Sequence, residues 1–471
     1  MRYLSFRPAM LAAAFLLSMV CPGTAAAERG KVFSVAKYGA VGDGKTMDTA
    51  AIQKAIDAAA ADGGTVTFPA GVYLTGSLFV KSGVTLRIDS GVTLTGSQHI
   101  EDYPMMPTRV AGIEMTWPSA LINVYQQSHV HIVGNGVIDG NGRVFWEVFF
   151  RLRKLDEPRG MRWAADYDAR RPRLMQIFDA GDVTVGGGLK LQRSGFWTVH
   201  ICYSRKVVVN GVTINNNIDG KGPSTDGVDI DSSSHILVEH VDVTNNDDAL
   251  CLKAGRDADG LRVNRPTEDV VIRDSIIRQA AAGVTFGSET SGGFRHIEIY
   301  NLHVLAPTPN GILFKSAQTR GGYAEDIRIH NIRMDNVPTV FRMTMNWYPL
   351  YSYAKIPPGM KNVPSYYRTM ATPVPLSKGI EHVQDVRIWN IHASGAKTAF
   401  DVNGYPTQPL EDFTLQHWDV QARSAGHLDY VKNWTFKDFV LHTSDGSRLR
   451  VEHSSGVSGI ATAPEATEGK P

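Results

Sequence analysis

The sequence predicts an all-β chain: a single-stranded, right-handed parallel β-helix (a solenoid) with a short N-terminal capping helix. Two observations predict the solenoid. Nine-residue segments recur in which a polar residue precedes an alternating apolar stretch, a polar corner and a second short apolar stretch. They begin at Lys206, His235, Asp269, His296, Asp326, Asp385 and Asp412, with starts 29, 34, 27, 30, 59 and 27 residues apart. The longest gap is two laps, or one lap and an insertion. Each segment holds two strands too short and too β-branched for helices. No single unit can bury both apolar rows, whereas stacked units bury them together. The second observation is negative. A barrel or propeller needs hairpin turn signals between strands, and Asn-Gly pairs are sporadic here.

The elements follow in order. Residues 1–27 read as an export signal: Arg2 and Arg7, an apolar run from Met10 to Val20, then Ala25-Ala26-Ala27 before a mature start near Glu28. The expected destination is periplasmic or extracellular, with no membrane association. Without that leader the count is 46 basic against 47 acidic residues, because the 48 basic residues lose two arginines. Such a balance gives no support for a nucleic-acid partner. Cys202 and Cys251 remain, both in apolar strand-like runs, either as two buried thiols or as a disulfide. Asp48 to Ala61 carries apolar residues at helical spacing and suits a cap over the solenoid's unpaired first edge. Residues 143–175 and 338–384 interrupt the repeat as long loops and should wall the working face. A single domain over 28–453 is expected, followed by a disordered tail at 454–471, with a monomeric protein and neither cofactor nor metal.

The chemistry concentrates in Ser224 to Asp231 and Asn245 to Gly255. Asp226 and Asp247 are 21 residues apart, about one lap. Equivalent positions on neighbouring laps lie roughly 5 Å apart. Asp226, Asp247 and Asp248 should therefore share one acidic patch, with Asp229 and Asp231 facing the same way or into a turn. Grouped carboxylates raise one another's pKa, so one can stay protonated beside an ionised neighbour. Glycoside hydrolysis needs that pair, and a separation of about 6.5–9.5 Å would admit water and give inversion.

With these residues in view, the sequence resembles the polygalacturonase family, glycoside hydrolase family 28, and most its bacterial secreted branch. The resemblance begins at Val35 to Asp57 and Gly63 to Leu78. It continues through Gly134 to Gly142, Ser194 to His200, Ser224 to Ile230, Asn245 to Gly255, Gly283 to Gly293 and Ser316 to Gly322. It implies a parallel β-helix acting on pectic poly- or oligosaccharide. Asp247 would be the general acid, and Asp226 and Asp248 would share activation of water. Lys315 would meet a sugar carboxylate. Two positions depart from the family pattern: its active-site histidine falls on Ala282, and the arginine of its Arg-Ile-Lys motif falls on Leu313. Leucine cannot hold a carboxylate by a bidentate charged pair.

Arg320 and Glu289 are further candidate substrate contacts, or partners in structural salt bridges. Trp347 and Tyr348, with Tyr351 and Tyr353, form either a sugar-stacking platform or the core of a long loop. His129, His131, His235 and His296 show no metal-ligand spacing. Three rivals stand beside the polygalacturonase reading: a rhamnogalacturonan-type hydrolase with an altered subsite, a calcium-dependent pectate lyase and a non-catalytic glycan-binding β-helix.

Overall fold

A computed structural model describes residues 30–463; the expected leader at 1–27 lies outside the described residues. The chain winds into a parallel β-helix of three stacked rows, in which one sheet gathers 31 strands and the pairings between successive laps are parallel. The row that matters for function contains β1 (Val199–Cys202), β2 (Val228–Asp231), β3 (Leu250–Lys253), β4 (Ala282–Gly287) and β5 (Asn310–Lys315). They pair in sequence order, so Asp229 sits opposite Cys251 and Asp231 opposite Lys253.

The repeat is legible in the backbone. Its first polar residue adopts a left-handed conformation, with φ of 58° at His235, 52° at Asp269, 54° at His296 and 49° at Asp326. The inner polar corner does the same at Asp274, Asn301, Asn331 and Asn390, with φ between 49° and 55°. Asn, Asp and His tolerate this region best among residues with a Cβ, which is why the corners are polar. They also tie laps together: Asn331 Nδ2 donates to Asn301 Oδ1 at 3.0 Å, and Asn390 Nδ2 to Asn331 Oδ1 at 2.9 Å. Inside, apolar residues stack lap upon lap into one continuous core, with Phe286 and Phe314 face to face at 4.2 Å.

Helix α1 (Thr49–Asp62) buries Ile52, Ala55, Ile56 and Ala59 against the first laps, as the spacing predicts. Asp48 does not cap it through its side chain; the carboxylate accepts instead from Val41 N at 2.7 Å and Gly42 N at 3.0 Å.

Two findings differ from the sequence reading, and one choice that it left open is decided. Residues 454–463 do not form a disordered tail: Ser455, Ser458 and Thr462 make bridges to the last laps, and Val457 and Ile460 pack on the core. The two cysteines are free and buried. Cys202 lies on β1 and Cys251 on β3 with β2 between them. Two inter-strand steps, roughly 9.6 Å, exceed the reach of a disulfide. Finally, 143–175 is no plain loop, since it opens with α2 (Arg143–Asp156).

Three excursions leave the solenoid on the side of β1–β5. They are a hairpin (Met105–Val110 with Ile113–Pro118), the 143–175 segment and the 338–384 segment. They share a second small core in which Ile113, Trp117, Trp163, Tyr167, Tyr367 and Met370 pack together. Polar contacts lace them further. Tyr167 Oη donates to Ala111 O at 2.9 Å, and Arg256 Nη1 donates to Tyr167 Oη at 2.9 Å. Arg256 Nη2 donates to Tyr351 O at 2.7 Å, and Tyr366 Oη to Asp168 Oδ1 at 2.7 Å. Among the described residues no helix is long and apolar enough to cross a membrane.

Candidate active site

The loops entering β2 and β3 carry the acidic residues, and a set of asparagines fixes them. Asn216 Nδ2 donates to Thr198 Oγ1 at 2.7 Å and to Thr225 O at 3.3 Å, which holds the turn before Asp226. Asn217 Nδ2 donates to Asn245 O at 2.8 Å, and Asn245 Nδ2 to Asp248 O at 3.0 Å. The backbone N–H of Asp248 donates to Asp247 Oδ1 at 2.9 Å. Asp226, Asp247 and Asp248 thereby each bring one carboxylate oxygen within 4.8 Å of the others. This is the juxtaposition that one lap of spacing predicts.

Two lysines stand among these acids. Lys315 Nζ donates to Asp248 Oδ2 at 2.7 Å and lies 4.6 Å from the centre of the Trp347 ring. Lys253 Nζ lies 3.4 Å from Asp226, 3.5 Å from Asp229 and 3.3 Å from Glu289, and 4.7 Å from the centre of the Trp197 ring. Five buried or nearly buried carboxylates (Asp226, Asp229, Asp247, Asp248 and Glu289) thus share two ammonium groups. Desolvation and mutual repulsion oblige such a group to retain protons near neutrality.

The environments decide which residue keeps one. Burial, then the neighbouring Asp226 and Asp248, push Asp247 up to about 8. Burial and Asp229 drive Asp226 well above the usual carboxylate range, against the pull of Lys253. Asp229 rises to about 7, mainly through burial. Burial opposes ionisation of Asp248 as well, but Lys315 and Lys253 outweigh it and hold that carboxyl low. Neither oxygen of Asp229 receives a hydrogen bond from another described residue. The site therefore sets a carboxyl held high, Asp247, beside one held low, Asp248.

A cavity of about 70 Å³ opens over these carboxylates. Its walls come from all three excursions: Ala111 of the hairpin, Arg162 and Asp166 of the first segment, Trp347 and Tyr351 of the second. Ser224 joins the wall, donating from Oγ to Asp166 Oδ1 at 2.9 Å.

The remaining sequence candidates divide. Lys315, Glu289 and Trp347 line the cavity. Tyr348 points away, its hydroxyl donating to Glu157 Oε1 at 3.2 Å. Arg320 is fully buried, paired with Asp257 and donating to Ser288 O at 2.7 Å. Of the two readings open for Arg320, the structure shows the salt bridge. Asp231 is paired with Arg109 at 3.0 Å rather than with the cavity. Leu313 is buried between Thr285 and Arg342 of the neighbouring laps, and Ala282 is buried opposite Asn310. Sequence reasoning missed Lys253, Trp197, Arg162 and Asp166. Lys253 was within reach, because it falls opposite Asp231 once the lap register is drawn; the others depend on packing between distant segments.

Comparison with known proteins completes the description. The profile described as "Glycosyl hydrolases family 28" matches residues 62–349. A probable polygalacturonase of Vitis vinifera is 28% identical over 416 residues, covering 86% of this chain and 77% of that protein. An exo-poly-alpha-D-galacturonosidase of Dickeya chrysanthemi is 28% identical over 347 residues, covering 65% of this chain and 56% of that protein. Among solved structures, a hyperthermoactive exopolygalacturonase from Thermotoga maritima superimposes with a TM-score of 0.74 at 25% identity, covering 88% of this chain and 92% of that one.

Proposed function

The chain belongs to glycosyl hydrolases family 28, and from that premise we propose that it hydrolyses galacturonate-containing pectic polysaccharide or oligosaccharide from the chain end. One observation carries the chemistry. Asp247 and Asp248 are adjacent in sequence yet sit in opposite electrostatic environments, one kept protonated by burial and like charges, the other kept ionised by Lys315. Asp247 donates its proton to the departing glycosidic oxygen. Asp248 takes a proton from the attacking water, with Asp226 completing the cradle. Attack from the face opposite the leaving group inverts the anomeric centre. Following the anomer first released measures that outcome.

Action at the chain end is supported by the walls. Hairpin, first segment and second segment share a core and direct hydrogen bonds, and each lends a wall to the cavity. The names of the Dickeya and Thermotoga relatives agree with this reading. We also assign the expected leader at 1–27 to export, with a soluble monomer as the working form.

Leu313 favours a second reading. An apolar residue where the family pattern has arginine suits a neutral or deoxy sugar in one subsite, as in a rhamnogalacturonan-type hydrolase. A calcium-dependent lyase is less suited, because Lys315 and Lys253 put positive charge where a dication would bind.

Product analysis tests these readings. Mature protein and Asp247→Asn would be incubated, with and without chelator, on polygalacturonan and on debranched rhamnogalacturonan. Saturated galacturonate monomer from polygalacturonan, absent in the variant, is the expected result. Mixed oligomers formed early would overturn the chain-end assignment. Activity on rhamnogalacturonan alone would select the second reading. Unsaturated products lost with chelator would replace hydrolysis by elimination, and no product from either polymer would leave a binding protein.

A further inference from the structure

We propose that Arg162 is the residue that reads the carboxylate of the terminal sugar, replacing from the cavity wall the guanidinium that Leu313 cannot supply. The inference rests on the substrate class proposed above. It begins with the cations facing the cavity: Arg162, Lys253 and Lys315. Both lysines have their charge committed. Lys315 is bonded to Asp248, and Lys253 is surrounded by Asp226, Asp229 and Glu289. A uronate entering the pocket must find another positive group.

Arg162 is differently placed. Its Nη1 donates to Asp166 Oδ2 at 2.7 Å. Asp166 is already held by Arg171 Nη2 at 3.1 Å and by Ser224 Oγ at 2.9 Å. Two guanidinium groups thus share one carboxylate. The buried Nε of Arg162 has no partner among the described residues, which leaves the Nε–Nη2 edge of the fork without an acceptor. Side-on pairing with a carboxylate's two oxygens would use that edge once the groups now covering Nε give way. The plane of the group is fixed by packing: its central carbon lies 5.3 Å from the Tyr351 ring centre and 5.7 Å from those of Phe149 and Tyr348. The side chain is only 10% exposed, so a carboxylate meeting it would be largely desolvated and the bond correspondingly strong.

Placement explains why such a residue is available here. Arg162 belongs to the 143–175 segment, which the repeat does not include. A guanidinium at Leu313 would rise from the floor formed by the sheet; Arg162 reaches in from the wall that closes the cavity. The free acid, not its methyl ester, is the ligand this fork selects, because esterification removes both the charge and one acceptor oxygen.

The test compares wild type, Arg162→Gln and Arg162→Lys on oligogalacturonides with a free or a methyl-esterified terminal residue. Folding would be checked by circular dichroism. For Arg162→Gln, KM on the free acid should rise roughly tenfold to a hundredfold, the loss expected for a charge-assisted pair. Turnover should fall less, and the preference for free acid over ester should shrink by a similar factor. Arg162→Lys keeps a charge but not the fork, and should fall between. If Arg162→Gln does not fold, the lysine variant alone decides: KM and ester preference equal to wild type would overturn the proposal. An equal loss of turnover on both substrates, with KM and preference unchanged, would show that Arg162 serves only to hold Asp166. Calorimetric binding of galacturonate against galactose separates this inference from the proposed activity. If wild type cleaves neither polymer yet binds galacturonate in preference to galactose, with that preference lost in Arg162→Gln, the activity fails and this inference stands. The same binding result with the preference intact in the variant overturns the inference.

Discussion

Replacing Lys253 by methionine removes one ammonium group from among three buried carboxylates while keeping the length of the side chain. In the native protein Nζ lies within 3.5 Å of Asp226, Asp229 and Glu289, and only 5% of the side chain is exposed. Removing one partner of a buried ion pair costs about 3–5 kcal/mol, because the remaining charge loses its compensation and has no water. Protons can relieve the cost. Glu289, which Lys253 and then Arg320 hold low against the penalty of burial, would rise in the variant, as would Asp226 and Asp229. A carboxyl whose folded pKa is raised contributes its stability below the unfolded value and loses it as pH climbs through the folded one. The deficit of Lys253→Met should therefore be small at pH 5 and approach about 3–5 kcal/mol at pH 8. Urea denaturation of both proteins at the two pH values measures it. A difference below about 1 kcal/mol that does not change with pH would refute the view that Lys253 holds the cluster together. It would mean that the acids around it are already neutral throughout.

Two further outcomes follow from the titrating groups. With Asp247 pushed up to about 8, by burial first and then by Asp226 and Asp248, kcat/KM should fall as pH rises through about 8. Asp248, held low chiefly by Lys315, should keep the enzyme active well into the acid range; a pH–rate profile with its alkaline limb near the ordinary carboxylate range would contradict the assignment of Asp247 as acid. His200 is fully buried, and burial followed by the adjacent Arg173 lowers its pKa to about 4. A histidine lowered in the fold contributes stability above its unfolded pKa of about 6.5 and loses it as pH falls toward the folded value. The loss is worth roughly 3 kcal/mol, so denaturation midpoints of His200→Gln and wild type should converge between pH 6.5 and pH 4, and parallel curves would show that His200 titrates alike in the folded and the unfolded chain.

What the sequence determined by itself was whatever the solenoid converts directly from spacing into space. The polar corners mark left-handed residues, the apolar rows mark the core, and one lap between Asp226 and Asp247 brings them together. These relations are local: each needs only the register of one lap upon the next. Tertiary structure alone decided the rest. Arg320 and Asp231 look like site residues in sequence, yet buried partners turn them elsewhere, toward Asp257 and Arg109. Arg162 and Tyr351 come to the cavity from segments with no repeat to place them, which lie beside a small core shared by the hairpin and both insertions. The protonation of the trio belongs to the same class. Asp247 and Asp248 are identical neighbours in sequence. They differ chiefly because Lys315, 67 residues from Asp248 along the chain, bonds to one carboxylate and leaves the other, half-buried, beside Asp226 and Asp248.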